Sequence, residues 1–463
     1  MQEMRIDGKT MKLTDYLGKV FECSCGRTHY TRLEAAEIKE NAVEMLPDYL
    51  RKFGYRHIYL VSDDITYEIA GRRIREMLAK EGFSVQNHVF RTKALVPDEE
   101  ALGEMLLALN PDFEVMIAVG TGSINDLVRF FSYRTKRPFV TVATAPPMDG
   151  FASTVAALIT GHCKTTYETH SPRLIIGDTA ILKDAPFPMI SAGLGDILGK
   201  FTCLCDWKLS RIINGEYYCQ AMVDMVNNCI QDVYQNAARV KEKDQEAVGK
   251  VMEALVQTGV AMSFAGNSRP AAGCEHHLSH YWEMLFLQKD LPPVLHGAKV
   301  GIGTVMILRA AELLQITPVN FEAARNHARS YCPEQWETDI RRVYGAAAAG
   351  IIQLERDSGK NRTEGVLKRI DVIQEHWEEI QGLLRELPKA ERMKSLLKQL
   401  DAPYYPAQKG ITDEMLWNGI VYAKETRSRY TILQLLWDLG LSESMADQLV
   451  AYVNQEAICG VLD

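Results

Sequence analysis

FEVMIAVGTGSINDLVRF, residues 113–130, reads as a strand, a tight glycine turn and a helix in immediate succession. The continuous apolar run ends at Gly120, Gly122 follows, and from Ser123 onward the spacing is helical. A strand without polar alternation is buried on both faces, the condition of a parallel sheet covered by helices on each side. Glycines at such a turn let backbone N–H groups approach a phosphate, and a helix start adds a favourable field for an anion. The spacing is not G-x-G-x-x-G, so a plain connection and a nucleotide site are equally compatible with the bare pattern.

Working outward, the same alternation recurs. RHIYLVSD (56–63), SVQNHVF (84–90) and RPFVTVAT (137–144) are short β-rich runs, and AGRRIREMLAKEG (70–82) and EEALGEMLLALN (99–110) have helical period. LEAAEIKENAVEMLPDYLRKF (33–53) also reads as an amphipathic helix. This βαβ rhythm predicts a Rossmann-like parallel sheet with its ligand crevice at the carboxyl ends of the strands. Beyond RLIIGDTAILKDAP (173–186) strand signals fade. YYCQAMVDMVNNCIQDVYQNAARVKEK (217–243), DQEAVGKVMEALVQTGVAMSF (244–264), GVLKRIDVIQEHWEEIQGLLREL (365–387) and YTILQLLWDLG (430–440) are all helical in period. The expected organisation is an α/β domain over 1–185 and an all-α domain over 186–463.

Composition narrows the function. With 463 residues, 47% hydrophobic and 24% charged, the chain is long enough for two cores. Its 52 basic and 60 acidic residues give a net charge of −8 without a long basic block, which argues against nucleic acid as a partner. No apolar run is long enough to span a membrane, the start lacks signal-peptide character, and the ten scattered cysteines suggest a reducing compartment. The expected location is the cytoplasm.

Several side chains are candidates for chemistry. Asp63 ends a buried strand, where it can accept from a ribose or cap the following helix. TVATAPPMDGFASTVA (141–156) crowds Thr144, Pro146, Pro147, Asp149, Gly150 and Ser153 into a strand-to-loop connection. SAGLGDILGK (191–200) places Asp196 among glycines and aliphatics, where an ionised acid needs a compensating partner. GCEHHLSHYWEM (273–284) and LHGAKVGIG (295–303) supply His276, His277, His280 and His296, of which His276 and His280 share a helix face. One carboxylate and two imidazoles form a suitable donor set for a divalent cation with an open position; ordinary core histidines are the competing explanation. In CSCGRTH (23–29), Cys23, Cys25 and His29 lack a fourth donor nearby in sequence, which argues against a structural metal there.

The ordered set VGTGSIND, TAPPMDGFAST, SAGLGDILGK, CEHHLSH and LHGAKVGIG resembles the iron-containing alcohol dehydrogenase and dehydroquinate synthase-like superfamily. The D-G-F-A-S and E-H-x-x-S-H runs resemble its glycerol-1-phosphate dehydrogenase, AraM-like branch. The resemblance implies one divalent metal (zinc, nickel or iron) on Asp196, His276 and His296. It implies NAD(H) or NADP(H), with the phosphates at Gly120, Thr121, Gly122, Ser123 and Ile124. Thr144 and Ser153 then lie near the nicotinamide and Asp63 near the adenine ribose, with Pro147 also binding the cofactor, while Asp149 and His280 touch a phosphorylated triose or polyol. Asp196, Asp149 and His280 are the expected catalytic groups; a substrate phosphate needs cationic partners, and Lys200, Lys164 and Arg173 are the basic residues nearest in sequence to the site segments. The tandem histidines leave His277 as an alternative ligand. The expected reaction is reversible reduction of dihydroxyacetone phosphate to sn-glycerol 1-phosphate by a homodimer. Its competitors are a polyol dehydrogenase acting on an unphosphorylated substrate and a non-catalytic binding protein.

Overall fold

The computed structural model describes residues 3–6, 9–92, 95–161 and 163–459. The chain forms two compact units, one of residues 1–197 and 219–268, the other of residues 198–218 and 269–463.

The first unit is built on six parallel strands, β1 (Ala35–Lys39), β2 (His57–Asp63), β3 (Ser84–Phe90), β4 (Val115–Gly120), β5 (Phe139–Ala143) and β6 (Leu174–Asp178), in the order β1-β6-β5-β4-β2-β3. Strand β4 shows why the apolar runs are continuous. Val115, Ile117 and Val119 pack into one core, and Met116 and Ala118 into another on the opposite face. Each of the Val, Ile and Met side chains contributes about 1.5–3 kcal/mol when removed from water. Helix α1 (Gly122–Thr135) follows the glycine turn directly.

Strand β1 corrects the helical reading of residues 33–53: Ala35–Lys39 pairs in parallel with Leu174–Asp178, and the helix begins only at Leu46. Apart from Ile38, this edge strand consists of Ala, Glu and Lys, which have little β propensity, so pairing overrides local preference. An antiparallel hairpin, Val155–Thr160 with Cys163–Glu168, follows β5.

Four further helices are α2 (Phe187–Leu198), α3 (Lys200–Asn214), α4 (Gln220–Lys241) and α5 (Gln245–Ala265). Helix α5 starts where Asp244 accepts from the Ala247 N–H at 2.9 Å and stops at Gly266 in the left-handed region. The units divide the chain differently from a cut at 185/186. Helices α4 and α5 return to the α/β unit after the 198–218 excursion, because α5 packs closely against it. A Cβ on Gly249 would sit 2.9 Å from Thr179, and one on Gly259 would sit 2.9 Å from Ala152.

The second unit is helical. Helices α6 (Cys274–Gln288) and α7 (His296–Ile316) carry its histidines, and a Cβ on Gly303 of α7 would meet the Glu275 carbonyl oxygen at 2.9 Å. The segment read as one helix over 365–387 is two, Thr363–Glu375 and Trp377–Arg385.

Candidate active site

In the α/β unit, the glycine turn joins β4 to α1. A Cβ on Gly120 would lie 3.0 Å from the Ile124 side chain, so the tight passage into the helix requires glycine. A Cβ on Gly122 would meet nothing within 4 Å, and Thr121 gives the helix no side-chain cap. Backbone N–H groups of the first turn are therefore accessible to an anion. Asp63 takes the capping role: its Oδ1 accepts from the Thr66 N–H at 2.7 Å, and Thr66 Oγ1 accepts from the Asp63 N–H at 3.1 Å.

The loop after β5 is fixed from two sides. The Thr144 N–H donates to the Gly120 carbonyl at 3.4 Å, tying the loop to the glycine turn. Farther along, Ser153 Oγ accepts from the Val155 N–H at 3.1 Å, and Thr144, Pro147 and Asp149 are buried. Arg129 was not singled out as a site residue in the sequence, yet it organises this loop. Fully buried on α1, its guanidinium donates to the carbonyls of Gly150, Phe151 (3.1 Å) and Val155 (3.0 Å) and to Asp126 Oδ1 (2.8 Å). Asn125 adds a link from the same helix, accepting from Thr141 Oγ1 at 2.8 Å and donating to the Gly150 carbonyl at 3.4 Å.

Asp196 is completely buried on α2, and its Oδ2 accepts from the Asp149 N–H at 2.9 Å. The two acids singled out in the sequence thus meet through one backbone donor. Gly193, one turn before, permits this approach: a Cβ there would sit 1.9 Å from the Pro146 carbonyl oxygen.

In the helical unit, His276 and His280 lie on α6 and His296 opens α7. Their ring centroids are 5.1 Å apart for His276 and His296, 5.7 Å for His280 and His296, and 6.1 Å for His276 and His280. Glu275, quoted within its motif but given no role by the sequence, holds His276 Nδ1 at 2.7 Å. That carboxylate is itself fixed by the Gly273 N–H at 2.8 Å and Thr202 Oγ1 at 2.5 Å. Burial pushes Glu275 up, but His276, Thr202 and Gly273 together hold it below its ordinary value. A carboxylate behind a histidine sets the tautomer and leaves Nε2 as the ligand nitrogen. His277 is buried outside this group of rings, and burial drives its pKa well down.

Next to Glu275, Asp206 accepts from the N–H groups of Cys274 and Ile432, each at 2.7 Å, and burial followed by Glu275 raises it to about 7. A Cβ on Gly273 would fall 2.5 Å from Asp206 Oδ2, so this corner closes only around glycine.

The donor chemistry of each unit fits a divalent cation. The helical unit offers two neighbouring imidazoles, one backed by a carboxylate, and the α/β unit offers a buried, oriented acid. Of the basic residues near these segments, Lys200 is buried at the start of α3, and Lys164 is exposed on the hairpin. Arg173 is corrected as a phosphate candidate. It precedes β6, at the amino ends of the strands, pairs with Glu34 at 2.6 Å and lies 4.0 Å over the Phe53 ring.

Residues 37–186 match the model of the family described as iron-containing alcohol dehydrogenase. A protein of Bacillus licheniformis named glycerol-1-phosphate dehydrogenase (NAD(P)+) is 31% identical over 93% of this chain and 95% of its own length. One of the same name from Halalkalibacterium halodurans is 38% identical over 62% of this chain and 73% of its own length. The chain belongs to the iron-containing alcohol dehydrogenase family, in its glycerol-1-phosphate dehydrogenase branch. Two solved structures share the fold. Sulfoacetaldehyde reductase from Bifidobacterium kashiwanohense superposes with a TM-score of 0.59 at 12% identity, covering 91% of this chain and 98% of its own. Glycerol dehydrogenase from Schizosaccharomyces pombe gives 0.58 at 16% identity, over 91% and 92%. At such identities the family likeness is one of architecture.

Proposed function

We propose that the chain reduces dihydroxyacetone phosphate reversibly to sn-glycerol 1-phosphate, taking a hydride from NADH or NADPH and a proton from solvent. The observation that carries this reading is the near end-to-end similarity to relatives named glycerol-1-phosphate dehydrogenase (NAD(P)+). Asp196, His276 and His296 would hold one divalent cation of the zinc, nickel or iron type, which when bound supplies Lewis-acid polarisation of a ketone oxygen. Gly120, Thr121, Gly122, Ser123 and Ile124 bind the coenzyme's phosphates through backbone N–H groups. Thr144, Pro147 and Ser153 shape the nicotinamide end, with Arg129 keeping their loop in place. Asp63 accepts from the adenine ribose in addition to capping its helix. Asp149 orients the polyol, while His280 passes the proton at the reacting oxygen, one helical turn from His276. The active species in this reading is a cytoplasmic homodimer; among the described residues no helix is long and apolar enough to cross a membrane.

The test compares NADH oxidation with dihydroxyacetone phosphate and with free dihydroxyacetone, alongside metal analysis of Asp196→Asn and His296→Ala. The phosphorylated ketone should be preferred by orders of magnitude in kcat/KM, and each variant should lose metal and reduction together. Equal turnover of the free ketone would replace the reading with a polyol dehydrogenase. Full activity of either variant after chelation would remove the cation from the reaction.

A further inference from the structure

A second group of donors lies wholly within the α/β unit and takes no part in the coenzyme chemistry. Phe21–Glu22 pairs antiparallel with Thr28–His29, and the chain between them turns through Cys23, Ser24, Cys25 and Gly26. The Gly26 N–H donates to the Cys23 carbonyl at 2.9 Å and the Cys23 N–H to the Arg27 carbonyl at 3.2 Å, with Gly26 at φ 81°. This knuckle sets Cys25 Sγ 3.3 Å from His29 Nε2.

The donor missing from the local sequence arrives 196 residues after Cys23. Cys219 stands at the N-cap of α4, where the chain re-enters the α/β unit, and its Sγ lies 3.7 Å from Cys23 Sγ. One ligand atom from each of Cys23, Cys25, His29 and Cys219 lies within 4.8 Å of all the others. Three of the four residues are buried and Cys25 is partly so.

Two independent geometric features point to a cation. Zinc–ligand lengths of about 2.3 Å to sulfur and about 2.05 Å to nitrogen, set at tetrahedral angles, put neighbouring donors about 3.8 Å (S to S) and about 3.6 Å (S to N) apart. The observed separations of 3.7 and 3.3 Å sit close to those edges, whereas a covalent disulfide would bring two sulfurs to about 2.05 Å. His29 is also oriented as a ligand. Its Nδ1 is 2.8 Å from the Phe264 carbonyl oxygen, which places the proton there and leaves Nε2 facing the sulfurs. The Phe21 and Phe264 rings flank the imidazole, with centroids 5.3 and 6.0 Å away, and limit access of water.

We propose that Cys23, Cys25, His29 and Cys219 form a closed Cys3His structural zinc site, separate from the Asp196, His276 and His296 set. Four protein donors leave no open position, so its role is to clamp the N-terminal hairpin to the start of α4 rather than to activate substrate.

Metal content and cobalt spectroscopy of the full chain test this independently of turnover. His296→Ala should still carry one zinc per chain, and the cobalt-loaded protein should show thiolate-to-cobalt charge transfer, which a histidine and carboxylate site does not give. Cys219→Ser should lose that band and that zinc equivalent while keeping the other ion. Should Cys219→Ser fail to fold, the wild-type protein decides: chelation should expose Cys23, Cys25 and Cys219 to alkylation together and lower Tm. The site is overturned if wild-type protein shows no charge-transfer band. It is equally overturned if intact mass reveals a Cys23–Cys219 disulfide, or if these thiols alkylate at the same rate with and without chelator.

Discussion

His276 and His277 are adjacent in sequence, and about 100° of helical rotation separates their side chains. Only His276 joins His280 and His296 within a group of rings and receives a carboxylate at Nδ1. We therefore expect His276→Ala to abolish binding of the catalytic metal and His277→Gln to leave it intact, read by competition with a chelator. Glu275→Gln should weaken metal binding by about 10- to 100-fold, the usual effect of removing the acceptor behind a ligating histidine. If His277→Gln loses the metal while His276→Ala keeps it, the ligand assignment is reversed. Glu275 shows the limit of sequence at this scale. An acid beside a histidine is common, and only the fixed positions of Thr202 and Gly273 show that it faces inward as the orienting group.

Helix α1 and the loop after β5 act as a unit because one guanidinium joins them. Arg129→Ala would leave Asp126 and the carbonyls of Gly150 and Phe151 without their buried donor. Breaking a buried pair of this kind costs about 3–5 kcal/mol. Urea unfolding should show a loss of that size and coenzyme KM should rise; unchanged stability would mean that water substitutes for the guanidinium. Lysine lacks the planar fork, so Arg129→Lys should recover only part. In the helical unit the turn Ala423–Thr426 holds Glu425 against Lys360 at 2.8 Å and against Lys424, with Asn361 Nδ2 donating at 2.9 Å. Burial pushes Glu425 up, but the two lysines outweigh it and hold it at about 2, against an ordinary value of 4.5. A depressed carboxyl pKa stabilises the fold above the unfolded value and ceases to do so as pH falls through the folded one. This group therefore contributes about 3 kcal/mol near pH 7, lost between about pH 4.5 and about pH 2. Glu425→Gln should be less stable at neutral pH and show a flatter acid limb in urea titrations; parallel limbs would refute the linkage.

At the scale of the whole chain, strands β2, β4, β5 and β6 were legible because burial on both faces removes polar alternation. The glycine turn, Asp149, Asp196 and the histidines were legible because charged or flexible residues stood in apolar surroundings. What was not legible depends on partners remote in sequence: β1 is a strand only beside β6, and Cys219 completes a cluster begun at Cys23. The two compact units likewise divide the chain at points other than 185/186. Residues 219–268 belong to the α/β unit, and α5 supplies Val248, Val251, Met252 and Leu255, all fully buried. At about 1.5–3 kcal/mol each, these four side chains alone approach the total stability of about 5–15 kcal/mol expected of a folded domain. A fragment of residues 1–185 should therefore lack a cooperative thermal transition and bind a hydrophobic dye. Residues 1–197 joined by a flexible linker to 219–268 should melt in a single sharp transition with native near-ultraviolet dichroism. A cooperative melt from residues 1–185 alone would show that α4 and α5 merely decorate the sheet unit, whereas failure of the rejoined fragment would show that the α/β unit depends on the helical one for its stability.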